Sequence, residues 1–255
     1  NDRLDSLSLT SQTGTVTVNG ASNTTGPIDI DALDTATIGG AMASAAGDID
    51  VTGSAVTTAA AGTITTAGDI NIDAITNDAN IGAAVTSTNS DVEINAVTDV
   101  NLGANVIGDN VTAQANTGDV NVAAALNNAR GGYDFTGGTQ VDVSENITAA
   151  DGIRLQGDTI EIEDVITAGT DITLTGDVTQ SGAIAENITG LSLVGTTGTT
   201  GKFDVTQTST SSATITDLAL EGTLPTPLSF KVEKGTAADV AVTALKGTMT
   251  PQNLT

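Results

Sequence analysis

The chain has 255 residues, with 31 acidic and 7 basic side chains, a formal net charge of −24, and no His, Cys or Trp. Without imidazole and thiol groups, the usual zinc sites and the mechanisms that depend on His or Cys are excluded. The negative charge opposes binding to nucleic acid or to anionic membranes, because like charges repel. No apolar run is long enough for a transmembrane helix, so we expect no membrane span.

One short phrase recurs along the chain. It begins with Gly, Ser or Thr, commonly followed by Asp, and continues with an aliphatic-polar-aliphatic triplet, as in GTVTV, GDIDV, GDINI, SDVEI, GDVNV, TQVDV, DTIEI and TDITL. A turn residue followed by alternating apolar and polar residues predicts short β-strands. Apolar residues at helical spacing are lacking, and we interpret the Ala-rich segment 41–46 as a small-residue corner.

The spacing of these phrases predicts the architecture. Their first aliphatic residues, together with Ile28 of the related phrase PIDI, recur at nearly constant intervals for most of the series, at Val16, Ile28, Ile49, Ile70, Val92, Val120, Val141, Ile160 and Ile172. A repeat of about 20 residues, as found here, is typical of one coil of a β-solenoid. We therefore predict an all-β fold with a parallel β-solenoid of about nine coils over 1–195. The two short steps, from Val16 to Ile28 and from Ile160 to Ile172, are interpreted as changes of face. The long step from Val92 to Val120 is interpreted as the result of a loop extruded over 125–138.

Residues 196–255 differ in composition, since they contain all four Lys and two of the three Phe. Longer strands at 202–208, 213–220, 228–233 and 240–245 predict a β-rich carboxy-terminal cap, either antiparallel or a small sandwich. Repeat arrays need such caps, because an open coil exposes unpaired strand edges and core residues.

The phrases GDIDVTG, AGTITTAGDINIDA and ADGIRLQGDTIEIEDVITAGTDITLTGDVTQSG, within about residues 12–195, carry a family resemblance. They resemble the repeats of filamentous-haemagglutinin-like exoproteins, the large bacterial β-solenoid adhesins. The resemblance implies an elongated extracellular protein of the cell surface that serves in adhesion or surface structure. It supplies no catalytic residues.

Polar positions of the phrases carry carboxylates. Stacked coils would place them about 4.8 Å apart, where two unit charges repel by about 1 kcal/mol in bulk water. Ca²⁺ would offset this repulsion, and it takes six to eight oxygen ligands of the kinds found here. Ca²⁺ is therefore the one cofactor considered, and a solvated acidic face is the alternative. The candidate ligands are Asp48, Asp50, Asp69, Asp91, Glu93 and Asp119.

Two further sets of residues are candidates for contacts with partners. Arg130, Tyr133, Asp134 and Phe135 belong to the segment interpreted as a loop and are candidates for binding a cell-surface glycan or protein. Aliphatic residues of the first and last strands are candidates for a joint between subunits. These are Leu4, Leu7, Leu9, Val240, Val242 and Leu245.

The function predicted from these features is that of an extracellular structural protein, without enzymatic activity, that self-associates into a filament. An open solenoid end offers backbone groups to the next subunit, and a heterologous contact of this kind propagates. One alternative is a monomeric adhesin segment of a larger secreted protein. A second is a polysaccharide-active β-helix enzyme with paired carboxylates. Sugar clefts generally use aromatic platforms, and this chain has only three Phe and one Tyr.

Overall fold

The computed structural model is a parallel β-solenoid of about eight coils, and its described residues include no helix. The structure describes residues 4–164, 166–168 and 171–180, and the strands at 188–195, 202–207, 213–222, 229–234, 240–242 and 245–246. Side chains are described up to residue 164 and at 166, 168 and 173–175. In this part of the chain, no helix has the length and apolar character to cross a membrane. The predicted all-β parallel solenoid is confirmed, with about eight coils in place of about nine.

Each of the eight coils up to Ala168 contributes strands to three faces, here called faces A, B and C. Face A contains β1 (Leu7–Ser11), β4 (Ile28–Ala32), β7 (Ile49–Gly53), β10 (Ile70–Ala74), β13 (Val92–Ala96), β16 (Asn110–Ala115), β19 (Gly132–Thr136) and the first half of β22 (Ile153–Ile162). Face B contains β2 (Val16–Val18), β5 (Thr35–Ile38), β8 (Ala55–Thr58), β11 (Ala79–Ile81), β14 (Val100–Leu102), β17 (Val120–Val122), β20 (Gln140–Val143) and the second half of β22. Face C contains β3 (Ser22–Thr24), β6 (Met42–Ser44), β9 (Ile64–Thr66), β12 (Val85–Ser87), β15 (Val106–Ile107), β18 (Leu126–Asn128), β21 (Ile147–Ala149) and β23 (Ile166–Ala168).

The strands of face A show the regularity of the repeat directly. Successive strands pair in parallel, and equivalent positions recur at a nearly constant interval at every step. These positions are Leu7, Ile28, Ile49, Ile70, Val92, Val111, Tyr133, Ile153 and Ile172. Each coil therefore returns the chain to the same place one strand spacing further along the axis.

The core is a set of columns of inward-facing aliphatic side chains. In β4, Ile28, Ile30 and Ala32 are buried whereas Asp29 and Asp31 are exposed. The same alternation recurs in β7 and β10. Burial of an Ile or Val side chain contributes about 1.5–3 kcal/mol, so the stacked columns supply much of the driving force for folding.

A column of buried hydroxyl groups closes the turn from face C to face A. The Ser44 hydroxyl donates to the Gly26 carbonyl at 2.7 Å and accepts from the Gly47 N–H at 2.9 Å. Thr24, Thr66 and Ser87 occupy equivalent buried positions. A Cβ at Gly47 would collide with the backbone of Gly26 and Pro27. Gly47 is therefore required because neighbouring coils approach closely at this turn.

The predicted extruded loop over 125–138 is wrong. Residues Gly132–Thr136 form the face A strand β19, and Tyr133 and Phe135 point into the core with 2% and 0% exposure. Their ring centroids are 5.3 Å apart, and the Tyr133 hydroxyl donates to the Val106 carbonyl at 2.9 Å. Because the ring is buried, the pKa of Tyr133 lies above its usual value.

The segment 125–138 also lies after Val120, so it cannot lengthen the step from Val92 to Val120, which has a different origin. The recurring phrase lies on face A at Val92 but on face B at Val120, and Val111 fills the face A position between them. The two short steps are changes of face, as predicted, from Val16 to Ile28 and from β22 to β24 (Asp171–Gln180). The Ala-rich segment contains the strand β6 instead of a corner, and Met42 is 1% exposed.

The later strands continue the parallel ladder. They are β25 (Ile188–Gly195), β26 (Lys202–Gln207), β27 (Ala213–Gly222), β28 (Ser229–Lys234), β29 (Val240–Val242) and β30 (Leu245–Lys246). β24 pairs with β25 and β26, β25 with β27, and β27 with β29 and β30, all in parallel. The expected antiparallel arrangement of this region is therefore wrong, because its strands keep the direction of the coils. The division into domains at residue 195 stays a prediction.

Candidate functional surface: carboxylate and amide columns

Coil stacking distributes the six predicted Ca²⁺ ligands over three columns. Asp48, Asp69 and Asp91 lie in the turn before face A, at the same place in three successive coils. Asp119 lies in the turn before face B. Asp50 and Glu93 point outward on face A, with Asn71 in register between them. The six side chains are thus divided among three places on the surface and do not form one site.

The carboxylates of the first column bind the backbone of the next coil. Asp48 Oδ1 accepts the N–H of Asp69 at 3.0 Å, and Asp69 Oδ1 accepts the N–H of Asp91 at 3.1 Å. Asp91 Oδ1 accepts both the backbone N–H and the Nδ2 of Asn110 at 2.9 Å. Hydrogen bonds with an ionised acceptor are stronger than neutral ones. Each Asp therefore stabilises the turn of the following coil through a hydrogen bond.

A second column repeats this arrangement before face B. The N–H of Asp99 donates to Asp78 Oδ1 at 3.2 Å, and the N–H of Asp119 donates to Asp99 Oδ1 at 2.8 Å. The column ends where the hydroxyl of Thr139 donates to Asp119 Oδ1. The Asp of the recurring phrase is thus a structural residue in both turns.

On face A, amide donors separate the outward carboxylates. Asn71 Nδ2 donates to Asp50 Oδ1 at 2.7 Å, and Asn95 Nδ2 donates to Asp73 Oδ1 at 3.0 Å and to Glu93 Oε1 at 2.9 Å. Amide and carboxylate side chains therefore alternate on this face, and their contacts reduce the repulsion between carboxylates that motivated the prediction of a bound cation. In residues 4–164 and the other described positions, no group of three or more His, Cys, Asp and Glu is placed to hold a metal ion. Ca²⁺ binding stays a prediction.

Face B carries a column of Asn side chains that was not recognised as a unit in the sequence. Asn101 Nδ2 donates to Asn80 Oδ1, and Asn121 Nδ2 donates to Asn101 Oδ1, both at 2.8 Å. Asp142 is the next residue in register. Its Oδ1 is buried and has no hydrogen-bond partner. A carboxylate therefore occupies the position where a fourth amide would continue the column.

The surroundings of Asp142 favour its protonated form. Burial raises the pKa of this carboxyl above its usual value, and the charges of Glu161, Glu163 and Asp119 raise it further. A protonated carboxyl can donate a hydrogen bond, whereas a carboxylate can only accept. The ionised form at this position therefore destabilises the fold.

The predicted ligand-binding residues are divided between surface and core. Tyr133 and Phe135 are buried, whereas the side chains of Arg130 and Asp134 are 37% and 45% exposed. Arg130 Nε donates to Asp109 Oδ1 at 3.1 Å, and Arg154 Nη1 donates to Asp134 Oδ1 at 2.9 Å. A shallow cleft beside this second pair is lined by polar side chains that include Asn110, Asp134, Asp151, Arg154 and Thr173.

The predicted joint residues are described only in part. Leu7 and Leu9 of β1 are half-buried, and Leu4 is 54% exposed and forms a parallel bridge with Thr24. Val240 and Val242 belong to β29 and Leu245 to β30, but their side chains lie outside the described residues.

Comparisons with protein families, with characterised proteins and with solved structures give no match for this chain. The assignment of the fold therefore depends on the strand register and burial described above.

The first prediction concerns the carboxylate caps. Replacing Asp69 by Ala removes the acceptor for the N–H of Asp91, and we expect a loss of about 1 kcal/mol in the free energy of unfolding. Asp69→Asn keeps an acceptor oxygen and should lose less than half as much. Chemical denaturation in the presence of a chelator measures both. Equal losses in the two variants would contradict the capping role.

The same pair of variants tests the Ca²⁺ prediction. A bound cation predicts that the melting temperature of the unmodified chain rises from chelator to millimolar Ca²⁺, since a ligand of the folded state stabilises it. Asp69→Asn should then reduce that rise. Melting temperatures that are equal in both solutions would count against Ca²⁺ binding.

The second prediction concerns Asp142. Asp142→Asn supplies an Nδ2 that can donate to Asn121 Oδ1, and it removes the buried unpaired oxygen. We expect a gain of about 1 kcal/mol at neutral pH, which is a rise of roughly 2–4 °C in melting temperature for a chain of this size. Thermal unfolding followed by circular dichroism measures this gain.

The pH dependence of this gain follows from the raised pKa of Asp142. The folded state holds the proton more tightly than the unfolded state, so the unmodified chain loses stability as pH rises from the usual Asp pKa through the raised value. The gain in Asp142→Asn should therefore be largest at neutral pH and disappear near pH 4, about the unperturbed Asp pKa. Asp158→Asn, which removes an exposed charge, is the control. An equal gain in this control would show that relief of net charge alone is responsible.

Proposed function

We propose that the chain is an extracellular, non-enzymatic structural module that self-associates through the ends of its solenoid. The observation that carries the proposal is the one-sided pairing of strands β1 and β2. Strands β1 and β2 pair with β4 and β5 on one side, and no strand among the described residues pairs with their other side. An unpaired parallel edge is a template for a further strand.

The geometry of β1 defines the groups available at this edge. The N–H of Leu7 donates to the Pro27 carbonyl, toward β4. In a parallel pair, alternate residues direct both backbone groups to the same neighbour. Ser8 and Thr10 therefore direct their N–H and C=O groups away from β4. A coil added here would pair with these groups and would cover the half-buried Leu7 and Leu9.

The distribution of apolar side chains supports addition of a whole coil. Val16 of β2 is also half-buried and packs against the core together with Leu7 and Leu9. The three side chains are the terminal members of columns whose interior members are fully buried. A second copy that stacks on this end would extend the same columns. Because the surfaces joined are different, the contact propagates into a filament.

The extracellular location and a relationship to filamentous-haemagglutinin-like surface proteins are part of this proposal. The regular repeat and the recurring Gly-Asp phrase support them, because such surface proteins are built from solenoid coils. A saline exterior would also screen the charge of −24.

A monomeric adhesin segment is the second candidate. The shallow cleft between Asn110, Asp134, Asp151 and Arg154 favours it, because it presents charged and amide groups to a glycan or protein partner. A module of this kind would bind through the side of the solenoid, and its isolated chain would stay monomeric.

The third prediction tests the end joint. Ser8→Pro removes an outward N–H without removing a hydrogen bond to β4, and Pro is tolerated on edge strands. Negative-stain electron microscopy with light scattering should show end-to-end assemblies of the unmodified chain and much shorter ones for Ser8→Pro. Ser8→Ala, which keeps the N–H, is the matched control and should assemble normally.

Two results would contradict the end joint. Discrete particles of the unmodified chain at every protein concentration would favour the adhesin segment. Assemblies of equal length for Ser8→Pro and the unmodified chain would show that another surface mediates self-association.

A further inference from the structure

The first six coils carry their charge on two of the three faces. Residues 4–129 contain 14 acidic and no basic side chains. All 14 lie on face A, on face B or in the turns that lead into these faces. The strands of face C and the turns that precede them contain no charged residue, over 19–26, 39–47, 59–68, 82–90, 103–108 and 123–129.

The outward side chains of face C form a continuous uncharged surface. In register along the axis they are Asn23, Ala43, Thr65, Thr86 and Ile107, followed by Asn127. Asn23, Thr65 and Asn127 are exposed and the others are half-buried.

One side chain makes face C continuous where its strand pairing is interrupted between β15 and β18. Asn105 Oδ1 accepts the backbone N–H of Asn127 at 2.8 Å, and Asn105 Nδ2 donates to the Asn127 carbonyl at 3.3 Å. The Asn105 amide thus replaces a backbone pair between the fifth and sixth coils. The uncharged surface therefore extends over all six coils.

We propose that face C and the uncharged turns before it are the surface through which a second copy of this chain packs side by side. Two chains with a charge of −24 each repel one another. Contact through face A or face B would bring carboxylate columns together, and like charges across an interface cost several kcal/mol. Contact through face C keeps those columns on the outer sides of the pair.

The distances favour this orientation. Sheets in contact are about 10 Å apart, so the outward charges of faces A and B are separated across the pair by more than the Debye length of about 8 Å at physiological ionic strength. Asp48, Asp69 and Asp91 form the rim of face C, and each already accepts hydrogen bonds along its column. The residual repulsion is therefore sensitive to salt.

The area of the surface sets the expected strength. Six coils at about 4.8 Å each give a length of roughly 29 Å. The uncharged segments of face C, strand and turn together, have at least six residues in each coil, which gives a width of about 20 Å at about 3.3 Å per residue. The surface then covers roughly 600 Å² on each partner, or about 1,200 Å² in total, the lower limit of specific interfaces. The pair is therefore a weak, reversible dimer, in which the same face of each copy is used.

Sedimentation velocity of the full chain tests this proposal. All variants are made in the Ser8→Pro chain, in which end-to-end assembly is expected to be blocked. Any dimer measured in this background then reports on side-by-side pairing alone, separately from the proposed end-to-end function. In this background we expect a monomer-dimer equilibrium that shifts toward dimer as salt is raised. Adding Thr65→Glu places a charge at the centre of face C and should weaken the dimer at least about tenfold, equivalent to about 1.4 kcal/mol.

Thr57→Glu is the matched control, since it adds the same charge to an outward position of face B. This variant should leave the dissociation constant of the dimer nearly unchanged at moderate salt. If Thr65→Glu fails to fold, Asn23→Asp combined with Asn127→Asp adds two charges without a change of shape and should give the same weakening.

Three outcomes would overturn the proposal. The first is a background variant that stays monomeric at every salt and protein concentration, which would leave face C for a different partner. The second is a dimer that is insensitive to charge on face C. The third is equal weakening by Thr57→Glu and Thr65→Glu.

Discussion

The structure depends on one constraint, which is that every coil returns the chain to the same three places. A nearly constant separation in sequence between paired strands keeps the backbone hydrogen bonds in register. A shift of one residue would turn every inward side chain to the solvent. Because the register is kept, residues with the same role stack on one another, and the molecule is a set of columns: aliphatic, hydroxyl, carboxylate and amide.

The columns give the acidic residues a structural role. A carboxylate at the turn accepts a hydrogen bond from a backbone N–H of the next coil. The negative charges that repel one another therefore also stabilise the turns. Asn and Thr between carboxylates supply donors and keep like charges apart. Asp142 departs from this pattern, because it stands where a donor is needed and its Oδ1 has no partner. Within the described coils it is the position where the local chemistry opposes the fold.

The architecture could be predicted from the sequence because the alternation of apolar and polar residues and the length of the repeat both follow from the need to keep the strands in register. The face on which each phrase lies could not be predicted from the sequence. The prediction of an extruded loop at 125–138 was wrong for this reason. Tyr133 and Phe135 are large and adjacent to glycines, which suggested a loop, but they fill the column that Val111 and Ala113 occupy in the coil before. The role of the Asp residues was missed for a related reason. Spacing shows that they stack, whereas only geometry shows that each carboxylate accepts a hydrogen bond from the following coil.

The proposed self-association uses two surfaces of different chemistry, the unpaired edge of β1 and β2 and the uncharged face C along the side. In this proposal, contacts at the two surfaces join copies of the chain along or beside the axis of coil stacking. X-ray diffraction from oriented assemblies tests this most directly. End-to-end stacking predicts a reflection at about 4.8 Å on the meridian, since the coil spacing then lies along the fibre. That reflection on the equator, with none on the meridian, would contradict the account.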